Sequence, residues 1–211
     1  MPKLAHPVTP AELTRTVAAL VDSLVPGAKP VYADARPEAA ERSTDSFAVV
    51  ARRVAAEQGE PVLGWVLREL PGMYAEAEFC VLWRSPLGEL LDVVARETRT
   101  RRVLFLADAV RGAAGKAVPS VRRAVVNDPV LLQYLATLDL EAELFGRGER
   151  DADTGAQSLA PADTPAYERL IAQRMPLHQQ VLPLYAEWGP YSPCWCGSGQ
   201  KAKWCHGVQQ A

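Results

Sequence analysis

Apolar residues recur at helical spacing in four segments of the chain, at about 10–25, 45–58, 128–145 and 164–180. The first and third segments begin with Thr9-Pro10 and Asp128-Pro129. A side-chain oxygen at the N-cap accepts a hydrogen bond from the first free amides, and proline already has the φ angle of a first helical residue. We therefore expect four helices, the last of them kinked or broken at Pro176, which lacks a backbone donor.

Between the second and third helices the hydrophobic period changes to that of strands. Four short apolar runs bounded by turn residues lie at 61–67, 79–83, 88–94 and 102–106. Ser85-Pro86-Leu87-Gly88 lies between the second run and the third and has the composition of a hairpin turn. These runs predict an α+β fold with an antiparallel sheet of about four strands, one face of which is covered by the helix at 45–58. The polar stretch at 28–44 is predicted to be a loop.

The distribution of apolar residues also predicts how the chain is divided. Residues 146–163 contain almost nothing that could enter a core, which is typical of a linker. We therefore expect an α+β domain over 1–145, a polar linker over 146–163, a helical connector over 164–189 and a small cysteine-rich module over 190–208.

Charge and cysteine content narrow the class of protein. The 211 residues include 23 basic and 25 acidic ones, for a net charge of −2, which argues against a protein built mainly to bind nucleic acid. The N-terminus lacks the apolar core of a signal peptide, and no apolar run approaches the length of a membrane span. Three of the four cysteines lie within twelve residues of one another, which favours metal binding in a reducing compartment over a disulfide framework. These features predict a cytoplasmic protein.

The cysteine-rich end has the ligand pattern C-x-C-x8-C-H, formed by Cys194, Cys196, Cys205 and His206. Three thiolates and one imidazole, supplied as two close pairs, match the tetrahedral coordination that Zn²⁺ prefers. Four protein ligands leave no position for a reactive water, so we expect one structural zinc ion. The Gly197-Ser198-Gly199 segment after the first pair permits a tight turn, in which amides can point at the sulfurs.

This segment closely resembles the SEC-C motif, the zinc-binding tail of the SecA preprotein-translocase ATPase, which also ends many otherwise unrelated bacterial proteins. The resemblance covers about 15 of the 211 residues. The chain departs from the usual motif at Trp195, where proline is common, and at Gln200, where lysine is common. The resemblance implies a bacterial protein whose zinc tail serves as an interaction module for another protein.

A weaker resemblance covers residues 45–108, where the order of elements is similar to that of papain-like and transglutaminase-like folds. In those folds a cysteine opens a helix, a histidine lies on a following strand, and an aspartate or asparagine lies on the next. The corresponding residues here are Ser46, Cys80 and Asp92. The resemblance therefore implies a cysteine-hydrolase or acyl-transfer enzyme, or an inactive relative, since serine beside a thiol lacks the imidazole that activates a nucleophile. The alternative is structural: Ser46 as a helix cap and Cys80 as a small buried residue.

Residues 96–102 contain four arginines and form a second alternative site, for phosphate or nucleic acid. Such a cluster is more often a solvated loop, and the overall acidity of the chain favours that interpretation. The sequence favours a non-catalytic zinc protein that contacts another protein, with an enzyme and a nucleic-acid-binding protein as its alternatives.

Overall fold

The computed structural model describes residues 6–37, 45–96, 100–110, 118–149 and 158–205. Its α-helices are α1 (Arg15–Leu24), α2 (Ser46–Glu57), α3 (Pro129–Gly146), α4 (Thr164–Val181) and α5 (Ala202–Cys205). Its strands are β1 (Val31–Ala35), β2 (Glu60–Leu70), β3 (Tyr74–Arg84), β4 (Leu90–Asp92), β5 (Arg102–Ala107) and β6 (Val121–Ala124). Short 3₁₀ turns at Pro161–Asp163 and Leu182–Leu184 flank α4. None of the helices in these ranges is long and apolar enough to cross a membrane.

Five of the strands close into a barrel. The neighbouring strands follow the order β2-β5-β1-β4-β3, and β3 pairs back to β2, while β6 pairs with the first residues of β3. All pairings are antiparallel except that of β1 with β4. The combination of helices and a sheet is therefore confirmed, but the prediction of a simple antiparallel sheet is wrong.

The sheet differs from the predicted antiparallel sheet because of β1. This strand, Val-Tyr-Ala-Asp-Ala, buries only Ala33 fully and lies in the polar stretch expected to be a loop. Its backbone nevertheless joins β5 to β4 and so closes the barrel. Hydrogen bonding of the main chain does not depend on apolar side chains, so the hydrophobic pattern did not reveal this strand. The rest of that stretch, 38–44, lies outside the described residues.

The interior of the barrel is one small apolar cluster, to which alternate residues of the strands contribute. Ala33, Val66, Cys80, Leu82, Val103 and Phe105 form it. Successive side chains of a strand point to opposite faces, so the residues between these positions face outward. On the outside, Trp65, Phe79 and Leu104 pack against α1, while Val81, Trp83 and Leu91 pack against α2. The expected packing of α2 on one face of the sheet is therefore confirmed.

The helix ends show which caps the sequence identified correctly. Asp128 accepts hydrogen bonds from the amides of Val130 and Leu131, and Pro129 is the first residue of α3, as predicted. The cap expected at Ser46 is wrong: Asp45 caps α2 through the amide of Phe47, and Ser46 is the first residue of the helix. The start predicted at Thr9-Pro10 is wrong, because Thr14 caps α1 and Val8 instead forms an antiparallel bridge with Glu69 of β2.

A helical hairpin and the C-terminal tail form the remaining layer. α3 and α4 pack together, and Arg174 makes two hydrogen bonds with Glu141 across them, of 2.6 and 2.9 Å. Pro176 lies inside α4, which continues through it to Val181. Side chains from the hairpin, from the strand ends and from the tail share one cluster that includes Leu70, Leu131, Val181, Trp188 and Cys196.

Candidate metal centre

The tail folds back on itself as a short hairpin. The amide of Cys194 donates to the carbonyl of Gln200 at 2.7 Å, and the amide of Ala202 donates to the carbonyl of Ser192 at 2.9 Å. Gly197 and Gly199 make the reversal with φ angles of +75° and +79°, which side-chain-bearing residues rarely adopt. The predicted turn after the first cysteine pair is therefore present.

The hairpin brings three of the four predicted ligands together. The one-turn helix α5 ends at Cys205, and the sulfur atoms of Cys194, Cys196 and Cys205 all lie within 4.8 Å of one another. Cys196 and Cys205 are 3.6 Å apart, sulfur to sulfur. Cys194 and Cys196 are buried, whereas Cys205 is partly exposed. The fourth predicted ligand, His206, lies outside the described residues.

The three thiols of the cluster affect one another's ionisation. Burial raises the pKa of the Cys194 thiol to about 12, and the neighbouring Cys196 contributes to this shift. Burial also opposes ionisation of Cys205, but hydrogen bonds from Ser198 and from the other two cysteines outweigh it and lower its pKa. Three adjacent thiolates repel one another, so a bound cation stabilises the ionised form of the cluster.

The candidate metal centre is attached to the barrel by the beginning of β5. The amide of Arg101 donates to the carbonyl of Cys196 at 2.7 Å, and the Nε of Arg102 donates to the carbonyl of Gly197. The Arg102 guanidinium also lies over the ring of Tyr32, 3.8 Å from its centroid. Two residues of the predicted arginine cluster thus bind the backbone of the turn that carries the cysteines.

The outer surface of the tail combines two aromatic rings with two ammonium groups. Tyr191 and Trp204 are 64% and 65% exposed. The Nζ of Lys203 lies 4.0 Å from the Tyr191 ring centroid and 4.5 Å from that of Trp204, and Lys201 lies within about 5.5 Å of both. We call these four residues the aromatic face.

The positions of Ser46, Cys80 and Asp92 test the weaker resemblance to papain-like and transglutaminase-like folds. Ser46 Oγ accepts a hydrogen bond from the amide of Val81, on the outside of the barrel. Cys80 lies inside, where burial raises the pKa of its thiol to about 12. Asp92, fully buried, accepts a 2.7 Å hydrogen bond from the Nε of Arg96. Because Ser46 and Cys80 lie on opposite sides of one strand, they do not form a nucleophile and base pair.

The three arginines of the cluster that the structure describes do not form one basic surface. Arg96 is largely buried against Asp92, Arg102 binds the cysteine turn, and Arg101 is exposed. Residues 97–99 lie outside the described residues.

A cavity that was not expected from the sequence lies at one end of the barrel. The cavity has a volume of about 470 Å³, and its wall includes Val66, Arg68, Glu78, Arg96, Val103 and Trp195. We call it the mouth pocket. The sequence did contain a signal for this pocket. Along β2 and β3 the inward-facing residues change from the apolar Val66 and Cys80 to the charged Arg68 and Glu78.

Fold and site together define a mixed helix-and-sheet protein with a cysteine cluster near its C-terminus that is positioned to hold a metal ion. No protein-family model matches the sequence. No curated protein and no solved structure matches it either.

Proposed function

We propose that residues 190–208 form a zinc-binding module of the SEC-C type, in which Cys194, Cys196, Cys205 and His206 hold one structural Zn²⁺. The observation that carries this proposal is the convergence of three sulfurs within 4.8 Å. Soft thiolates in a small tetrahedral set favour zinc over the hard cations Mg²⁺ and Ca²⁺. With His206 as fourth ligand, directly after Cys205, the coordination shell would be closed.

A closed zinc shell would serve folding and surface shape, not catalysis. The residues available for catalysis elsewhere support this view, because Cys80 is buried with a raised pKa and Ser46 is engaged as an acceptor on the other side of β3. The chain is therefore proposed to be non-catalytic.

The partner is proposed to be another protein, bound through the aromatic face. Large exposed aromatic side chains are enriched at protein interfaces, and here they are held by a docked turn. Lysines stacked over the rings would suit carboxylates on the partner. Nucleic acid is less favoured, since two arginines of the 96–102 cluster are occupied inside the protein.

The proposed interaction is tested by placing a photo-crosslinking phenylalanine analogue at position 191 in cells of the native source. We expect one or a few defined protein adducts, which disappear when Cys196→Ser is combined with the same label. The matched control carries the label at Leu87, which is 89% exposed in a turn of the barrel. Identical adducts from both positions would contradict a specific protein interface, and nuclease-sensitive adducts would replace it with nucleic-acid binding.

A further inference from the structure

The charged residues of the mouth pocket occupy inward positions at one end of the barrel. Arg68 lies two residues after Val66 on β2, and Glu78 lies two residues before Cys80 on β3. Arg96 follows β4 and is fixed by Asp92, whose carboxylate is fully buried. A buried aspartate that holds a guanidinium by its Nε gives that guanidinium a defined orientation.

Both guanidinium groups retain donors that nothing among the described residues accepts. The Nε of Arg68 and the Nη2 of Arg96 are buried and have no hydrogen-bond partner in that part of the chain. Guanidinium groups donate but never accept, so the missing partners must be acceptor atoms. A buried donor without a partner costs free energy of folding. Two such donors beside one cavity therefore indicate a site for a ligand with acceptor oxygens.

The chain already places one carboxylate between these arginines. Glu78 Oε2 lies 2.6 Å from Arg68 Nη2 and 3.7 Å from Arg96 Nη1. The other carboxylates on the two arginines, Asp92 and Glu76, are 0% and 8% exposed, whereas Glu78 is 41% exposed. Glu78 is thus the most exposed of the three carboxylates, and its move into solvent would break only the part-buried contacts with Arg68 and Arg96.

The remainder of the wall is only partly apolar. Val66, Val94, Val103 and Trp195 line the pocket beside the polar residues His6, Thr9 and Thr100. A cavity of about 470 Å³ with a few convergent polar groups has the size and the lining of a small-molecule site.

We propose that the mouth pocket binds a small monocarboxylate with an apolar body, whose carboxylate takes the place of Glu78 between Arg68 and Arg96. The planar guanidinium fork matches a carboxylate in two-point contact. The apolar body of the ligand lies against the valines and Trp195. This site adjoins the cysteine turn through Trp195 but uses none of its sulfur atoms, and it does not require the proposed protein partner.

Glu78→Gln is expected to bind the carboxylic acid more tightly than wild type does. The substitution removes the negative charge that competes for the arginines and repels the ligand, so binding becomes stronger, by about threefold to tenfold. A purely structural role for Glu78 predicts no gain of affinity. Calorimetric titration of the full-length, metal-loaded chain with benzoate and hexanoate measures this change, with benzyl alcohol and hexanol as uncharged probes.

Two further variants locate the site. Ala95 lies in the pocket wall, so Ala95→Phe fills the cavity and should abolish acid binding without removing a charge. Ala55→Phe on the exposed side of α2 is the matched control and should bind as wild type does. Binding of both acids at millimolar concentration, with little binding of the alcohols and these three variant effects, supports the proposal. Equal binding of acids and alcohols, retention of binding in Ala95→Phe, or no acid binding by wild type and Glu78→Gln alike overturns it.

Discussion

Cys80 shows how a single position on a strand decides between a reactive and an inert thiol. Its side chain faces the barrel interior with Val66 and Phe105, and it is 2% exposed. Burial raises its pKa from 9.0 to about 12. Only the thiolate reacts with electrophiles, so this raised pKa lowers the reactive fraction of Cys80 at neutral pH.

We expect Cys80 to resist alkylation in the native protein and to react at the rate of a free thiol after denaturation. Peptide mapping by mass spectrometry after timed iodoacetamide treatment measures Cys80 separately from the three cysteines of the tail. Rapid, selective labelling of Cys80 in the folded chain would revive the enzyme alternative.

Gly197 is a second position where one residue determines local structure. Its φ is +75°, and a Cβ atom there would lie 2.8 Å from the Arg102 carbonyl oxygen and 2.9 Å from Thr9 Cβ. Gly88 has a similar φ of +85° but open space around it, so it is a matched control.

We expect Gly88→Ala to lower the free energy of unfolding by about 1 kcal/mol, the cost of the left-handed conformation alone. Gly197→Ala should cost about 3 kcal/mol or detach the turn from β5, since overpacking adds to the same backbone cost. Urea denaturation of the two variants compares these values. Equal losses would show that the close contact between the turn and β5 does not contribute to stability.

Among the elements, the α3–α4 hairpin depends on an ion pair whose strength varies with pH. Arg174 binds both carboxylate oxygens of Glu141, and this hydrogen bonding lowers the pKa of Glu141 below its ordinary value of 4.5. A carboxylate with a lowered folded-state pKa contributes stability above the unfolded-state pKa and loses it as the pH falls through the folded-state pKa. The contribution is therefore complete at neutral pH, declines as the pH falls below 4.5, and is lost as the pH falls through the lowered folded-state pKa.

Glu141→Gln should lower the free energy of unfolding by about 1–2 kcal/mol at pH 7, and the deficit should shrink as the pH is lowered below the ordinary pKa of 4.5. Denaturation of both proteins across this pH range measures the deficit. The exposed Glu143→Gln on the same helix is the control and should show little change at any pH. A deficit independent of pH would mean that shape, not charge, accounts for the effect of Glu141→Gln.

The elements also show why sequence reasoning succeeded in some places and failed in others. Asp128-Pro129 predicted a helix start correctly, because its capping bonds are local. Thr9-Pro10 has the same chemistry but failed, because Val8 is held by a long-range bridge to Glu69. β1 was missed for the same reason, since its pairing with β4 and β5 depends on distant backbone.

At the scale of the whole molecule, the cysteine cluster lies against the barrel instead of projecting from it. Cys194, Trp195 and Cys196 share an apolar cluster with Leu70 and Leu131. The ligand spacing is enough to indicate a metal site, because the ligands are close together in the sequence. The contact between the cysteine turn and β5 could not be predicted from spacing, since Arg101 and Arg102 lie more than ninety residues before the turn that they bind.

Zinc binding by the tail is tested most simply by the zinc content of the purified chain, determined by elemental analysis without added metal. One zinc per chain is expected in wild type and in Cys80→Ser, and loss of zinc is expected in Cys196→Ser and Cys205→Ser. The Cys80 variant is the matched control, because it removes a thiol outside the cluster. Absence of zinc from wild type, or its retention in both cluster variants, would contradict the assignment of the tail as a zinc-binding module.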